Sequence, residues 1–126
     1  MASVPAPQPV VLRLRPDASA PGRARRGLEH LGLPRRVLDD AAIVLSELVT
    51  NCVVHGGGGD IEVRLEVGPT LRLEVGDGGP GFTPGPLDMP LDGLQGGRGL
   101  PLVEALTARW GVDARGGFRV WAELAL

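Results

Sequence analysis

From Ala41 to His55 the chain runs without a glycine or proline, and four consecutive glycines, Gly56–Gly59, then interrupt it. Good helix formers, no internal breaker and glycine just past the end predict a helix, opened by Pro34 and running to about Val54. Successive side chains of a helix sit roughly 100° apart around its axis. Ala41, Ala42, Leu45, Leu48, Val49, Cys52 and Val53 then form one broad apolar arc. Asp40, Glu47, Asn51 and His55 fall on a narrow polar strip, with Ile43 and Val54 beyond it. A carboxylate and an amide on a largely buried helix need partners, because an unpaired buried polar group costs several kcal/mol. Two readings follow. Glu47 and Asn51 cap neighbouring loops or pair with an arginine. Or they line a polar pocket, Glu47 as a base and Asn51 as an oxygen ligand for a hard cation such as magnesium.

The remaining composition narrows the options. A chain of 126 residues, 43% hydrophobic, is expected to form one domain with an ordinary core. Its 20 glycines and 12 prolines cluster, which points to purposeful loops rather than disorder. All 13 basic residues are arginine, so no lysine is available for catalysis or phosphate binding. A net charge of −2 argues against direct nucleic-acid binding. The single cysteine, Cys52, excludes an internal disulfide and reads as a small core residue. Met1–Pro5 has neither a basic nor an apolar leader segment, and no run reaches the length needed to cross a membrane. A cytoplasmic protein is expected.

Residues 1–9 read as a loose N-terminal tail, and 10–126 as the domain. Val10–Arg15 has strand character, Pro16–Ser19 a turn, and about Pro21 to Leu31 a first helix with Arg23, Arg25 and Arg26 outside. Ile61–Val67 and Leu71–Val75 alternate apolar and polar residues around Gly68-Pro69, which predicts an antiparallel hairpin. Gly76 to Gly99 holds nine glycines and four prolines, too long for a mere connection and typical of a binding loop or lid. Gly99 to Ala108 reads as a third helix with Pro101 in its first turn. Val112–Ala114 and Phe118–Leu126 read as a closing hairpin. The expected fold class is α+β: a two-layer α/β sandwich, a mostly antiparallel mixed sheet with helices on one face.

Two glycine clusters carry further chemistry. Asp77-Gly78-Gly79-Pro80-Gly81 follows directly from a strand. It suits an ordinary turn, or an acceptor for an exocyclic amine such as that of adenine, with glycines letting a flat ring approach the backbone. Gly96-Gly97-Arg98-Gly99-Leu100 precedes a helix, where exposed N–H groups favour an anion. Neither cluster has the spacing of a phosphate-binding loop that ends in lysine.

The order Glu-x-x-x-Asn on a helix, hairpin, Asp-x-Gly-x-Gly, long loop, Gly-x-Gly before a helix and two last strands resembles the GHKL or Bergerat-fold ATPases, the superfamily of gyrase and the histidine kinases. Asp39–Asn51 and the short chain look most like the anti-sigma factor serine/threonine kinases and their actinobacterial relatives. The resemblance covers about Val10 to Leu126. It implies ATP and magnesium as cofactors, with Glu47 as general base and Asn51 holding magnesium. It further implies that Asp77 accepts from the adenine amine, with Gly79 and Gly81 shaping the pocket. Residues 82–96 would be the lid. Gly97, Arg98 and Gly99 would meet phosphate with Leu100 behind them, and His55 is a further candidate for nucleotide contact. The partners implied are an anti-anti-sigma protein of the STAS type, phosphorylated on a serine, and a sigma factor, with a homodimer also expected. Two departures stand out. Residues 82–96 contain Asp88 and Asp92 but no basic residue, and Arg119 is expected where relatives carry a threonine that supports adenine through water. The lid without arginine favours an alternative, a nucleotide-sensing module that transfers no phosphate. A detached ATPase half of a sensor kinase, or a structural protein without ligand, are lesser readings.

Overall fold

In the computed structural model, which describes residues 8–77, 99–113 and 119–126, the sheet grows from the central hairpin. Strands β2 (Ile61–Val67) and β3 (Thr70–Gly76) pair antiparallel, with Val63 opposite Val75 and Leu65 opposite Leu73. The Gly68 N–H donates to the Thr70 carbonyl at 2.9 Å and closes the turn. Strand β1 (Val10–Leu14) adds to β2. Strand β5 (Arg119–Ala125) adds to β3, and β4 (Arg109–Asp113) adds to β5. The order is β1-β2-β3-β5-β4, and every neighbouring pair is antiparallel. The mixed sheet expected from the sequence is thus antiparallel among the described residues.

Alternation decides the two faces. Ile61, Val63, Leu65, Leu71, Leu73 and Val75 are buried, while their alternate neighbours carry the charges. The helices cover the apolar face. Helix α1 (Ala20–Leu28) begins after an Asx turn in which Asp17 Oδ1 accepts from the Ser19 N–H at 2.8 Å and from its hydroxyl at 2.5 Å. Those bonds hold the Asp17 carboxyl below its usual range. Ala20, Ala24 and Leu28 recur every four residues and form its buried stripe. Gly32, at φ 70°, takes the left-handed conformation that ends this segment.

Helix α2 (Arg35–His55) is the spine of the molecule, and its sides bury Val37, Ala41, Val44, Leu45, Leu48, Val49, Asn51 and Cys52. It packs against α1, against β3 and against a third helix, α3 (Gly99–Leu106). The Arg25 guanidinium donates to Ser46 Oγ at 2.9 Å and links α1 to α2. Ala105 and Leu106 share a cavity of about 280 Å³ with Arg36, Val37 and Asp40. The end of α3 therefore lies by the start of α2.

The outer face of the sheet carries a ladder of opposite charges. Arg72 donates to Glu74 at 3.0 Å and to Glu123 at 2.9 Å, Arg109 donates to Glu123 at 2.6 Å, and Arg119 pairs with Glu62 at 3.1 Å. The Arg72 guanidinium also stacks 4.7 Å from the Trp121 ring.

Candidate functional site

The site forms where the second half of α2 meets the end of β3. Glu47 and Asn51 are one helical turn apart on α2. Asn51 is the one buried polar residue among the described residues, at 8% exposure, while Glu47 is half-buried. Neither side chain makes a hydrogen bond or ion pair with another described residue. Among the described residues no buried side-chain nitrogen or oxygen is sealed from solvent without a partner, so the Asn51 amide opens to water rather than into the core. The capping or pairing reading of these two residues therefore has no support in the described structure. An amide held this way is an available oxygen ligand and hydrogen-bond donor. That donor set suits magnesium only if other oxygens come from outside the protein, since no cluster of three His, Cys, Asp or Glu side chains occurs among the described residues.

Asp77 directly follows β3, whose last residue, Gly76, is paired on both sides, with Glu62 and with Arg119. The end of α2 approaches it closely. The Gly56 N–H donates to the Cys52 carbonyl at 2.9 Å and completes the helix ladder. The Gly57 N–H then donates to Asp77 Oδ2 at 2.6 Å. A Cβ on Gly56 would lie 2.6 Å from that same oxygen and would also collide with the Cys52 carbonyl, so only glycine fits without a shift of backbone. This contact was not read from the sequence, where Gly56–Gly59 served only as a helix terminator. The run of four glycines was its one available signal.

Cys52 sits beside Asn51 and is buried. Burial first, and the nearby Asp77 charge second, push its thiol up to about 12. It is a packing residue, as expected, and not a nucleophile.

The other expected site residues fall as follows. His55 is the last residue of α2 and is exposed. Gly99 and Leu100 open α3, which packs against α2. Gly79, Gly81, Gly97, Arg98 and the expected lid, 82–96, lie outside the described residues. Arg119 is corrected. It projects from the outer face of the sheet, 3.1 Å from Glu62 and 3.7 Å from Glu74, with the helices on the opposite side. It therefore does not take the place of a threonine that supports adenine. The parity of β5 is the physical reason: Val120, opposite Val75, faces inward, so Arg119 faces out.

Comparison with known proteins agrees with this fold. The model of the histidine kinase-like ATPase domain family matches residues 15–122. No curated protein sequence matches the chain. Among solved structures, the RsbU and RsbW domains of Rv1364c from Mycobacterium tuberculosis are similar, at 22% identity and a TM-score of 0.70 over 94% of this chain. The histidine kinase domain of a blue-light activated kinase from Erythrobacter litoralis is also similar, at 22% identity and a TM-score of 0.55 over 99% of this chain. The chain spans 32% of the first structure's length and 66% of the second's. At these identities the likeness speaks for the fold.

Proposed function

Because the chain belongs to the histidine kinase-like ATPase domain family, we propose that it is an ATP-binding protein serine/threonine kinase of the anti-sigma type. In this reading it works in a partner-switching system, phosphorylating an anti-anti-sigma protein of the STAS type and sequestering a sigma factor. The observation that carries it is the Glu47–Asn51 pair: a buried amide without a partner among the described residues, one turn after a half-buried carboxylate, opening to solvent. Asp77 supplies an acceptor for the adenine amine, and the α3 N-terminus supplies backbone donors for phosphate. Asn51 would hold magnesium together with phosphate oxygens, and the ion would neutralise charge on the phosphates. Glu47 would take the proton from the attacking serine hydroxyl as its oxygen bonds to the terminal phosphorus and the bond to the departing diphosphate breaks. The exposed arginines of α1, Arg23, Arg25 and Arg26, offer a basic surface for a protein partner. The likeness to a structure that includes an RsbW domain supports the partner-switching assignment over a sensor kinase.

A second reading, a nucleotide-sensing module that transfers no phosphate, is favoured by one feature: residues 82–96 contain no basic side chain for the terminal phosphate. One assay separates the two. The chain is incubated with magnesium, labelled ATP and a purified STAS-type protein, beside the Glu47→Ala variant. The kinase reading expects phosphoserine from wild type and a loss of about 10²–10⁴-fold in the variant. Nucleotide binding by both proteins without phosphoserine from either would leave the sensing module.

A further inference from the structure

We propose that Gly57 is a positioning residue for purine recognition: its backbone N–H clamps one oxygen of Asp77 and sets the direction in which the carboxylate meets the ring. The proposal rests on the nucleotide-binding reading above and names the device that makes the pocket prefer a 6-amino purine.

The clamp joins two rigid parts of the fold. Asp77 follows a strand paired on both sides, and Gly57 follows the last turn of α2. Gly56 makes the junction possible. Its φ of −77° and ψ of 179° are open to any residue, so its need for glycine is one of space. Any side chain there would enter the volume held by Asp77 Oδ2. The extended ψ turns the chain out of the helix so that the next N–H faces the carboxylate, 2.6 Å away. Gly59 also lies near this residue, where a Cβ would sit 3.4 Å from the Asp77 carbonyl oxygen.

A terminal carboxylate torsion is broad and roughly two-fold, so a free aspartate samples many orientations. The hydrogen bond from the Gly57 amide to one oxygen restrains that freedom and helps to fix the plane of the other. An oriented carboxylate accepts from the amine of adenine. It opposes the oxo group of hypoxanthine or guanine, because two acceptors then face each other with neither satisfied. Discrimination between these bases depends on the carboxylate holding its direction.

Two substitutions at one position separate the N–H from the side-chain space. A Cβ on Gly57 would lie 3.7 Å from Asp77 Oδ2, an ordinary contact, so Gly57→Ala keeps the donor without crowding. Gly57→Pro deletes the donor, and the Gly56 backbone already has the extended conformation that precedes proline. Both variants of the full chain are titrated with magnesium-ATP and magnesium-ITP by calorimetry, after a thermal melt to check folding. Gly57→Pro is expected to lose about tenfold in ATP affinity and much less for ITP, so that the ATP-to-ITP ratio falls. Gly57→Ala is expected to stay within about twofold of wild type for both nucleotides. Added to Asp77→Asn, Gly57→Pro should cause no further loss, because both act through one carboxylate. An unchanged ratio in a folded Gly57→Pro, or equal losses for ATP and ITP, overturns the clamp while leaving nucleotide binding intact. A wild type that binds neither nucleotide overturns the underlying reading instead. Should Gly57→Pro fail to fold, amide exchange in labelled protein decides. The Gly57 N–H is slow to exchange in wild type and fast in Asp77→Ala if the clamp exists. Equal rates in the two overturn it.

Discussion

Asn51 is the residue at which the protein's stability and its function make opposite demands. A buried amide normally earns its place through hydrogen bonds, and cutting those bonds costs roughly 1–3 kcal/mol. Here the described structure gives it no partner, so the fold gains little from the amide. Asn51→Ala should therefore change unfolding free energy by less than about 1 kcal/mol while removing the magnesium dependence of nucleotide binding. Chemical denaturation and calorimetry on the same sample check both halves. A large destabilisation would mean that the amide serves the fold after all. Cys52, the next residue, behaves in the reverse way. Its thiol is pushed from an ordinary 9.0 up to about 12, chiefly by burial, so the folded state favours the neutral form. The sign follows: this contribution is complete below about pH 9 and is lost as pH rises toward 12. The urea midpoint of wild type should fall more steeply above pH 9 than that of Cys52→Ala, and parallel slopes would contradict the burial.

At the level of the elements, the outer face of the sheet is held by one glutamate shared between strands and by a ring packed against a glycine. Glu123 on β5 accepts from Arg72 on β3 and from Arg109 on β4. The Arg109 bond foremost, against burial and with help from Arg72, holds its carboxyl below the ordinary value of 4.5. Its stabilising effect is thus present above that value and lost as pH falls. Wild type and Glu123→Gln should differ in thermal midpoint near neutral pH and converge in acid. Gly111 faces Trp121 across the β4–β5 pair, and a Cβ there would sit 2.8 Å from the ring's Cζ2. Gly111→Ala should push the indole out from under Arg72, cost about 1–3 kcal/mol and alter tryptophan emission. These pairings also mark the limit of what the sequence discloses. The alternation in Ile61–Val67 and the unbroken run before Gly56 display one face each, so β2, β3 and α2 are legible to within a residue or two. Strand β4 is not, because Trp110-Gly111 breaks the pattern and only β5 makes Arg109–Asp113 a strand. Arg119 departs from expectation for a related reason. A residue can be assigned to a strand from its neighbours, but which face it takes depends on the register against β3. Contacts such as Gly57 to Asp77 are set by a helix and a strand twenty residues apart in sequence, and no local pattern encodes them.

For the whole molecule, the decisive feature is that the proposed site would draw on three separate elements: the later half of α2, the end of β3 and the start of α3. Each is anchored in the common core, through Leu45 and Leu48 on α2, Val75 on β3 and Val103 on α3, all at most 1% exposed. A ligand that bridges these elements binds only the folded chain, and its binding free energy adds to the free energy of unfolding. At a hundredfold excess over its Kd, magnesium-ATP should add about 2.7 kcal/mol and raise the melting temperature by roughly 10 °C for a domain of this size. The variants divide according to the part each residue plays. In the proposed kinase Glu47→Ala removes a proton acceptor needed only during transfer, so its nucleotide-induced shift should match that of wild type. Asp77→Asn turns one acceptor oxygen into a donor facing the adenine amine and should lose most of the shift. Leu48→Ala hollows the core by about 2–5 kcal/mol and should lower both the free and the liganded melting temperatures while leaving the difference between them nearly whole. A full shift in Asp77→Asn would move the nucleotide away from this end of the sheet. A lost shift in Glu47→Ala would make that carboxylate part of the binding surface and no longer a base reserved for the transfer step.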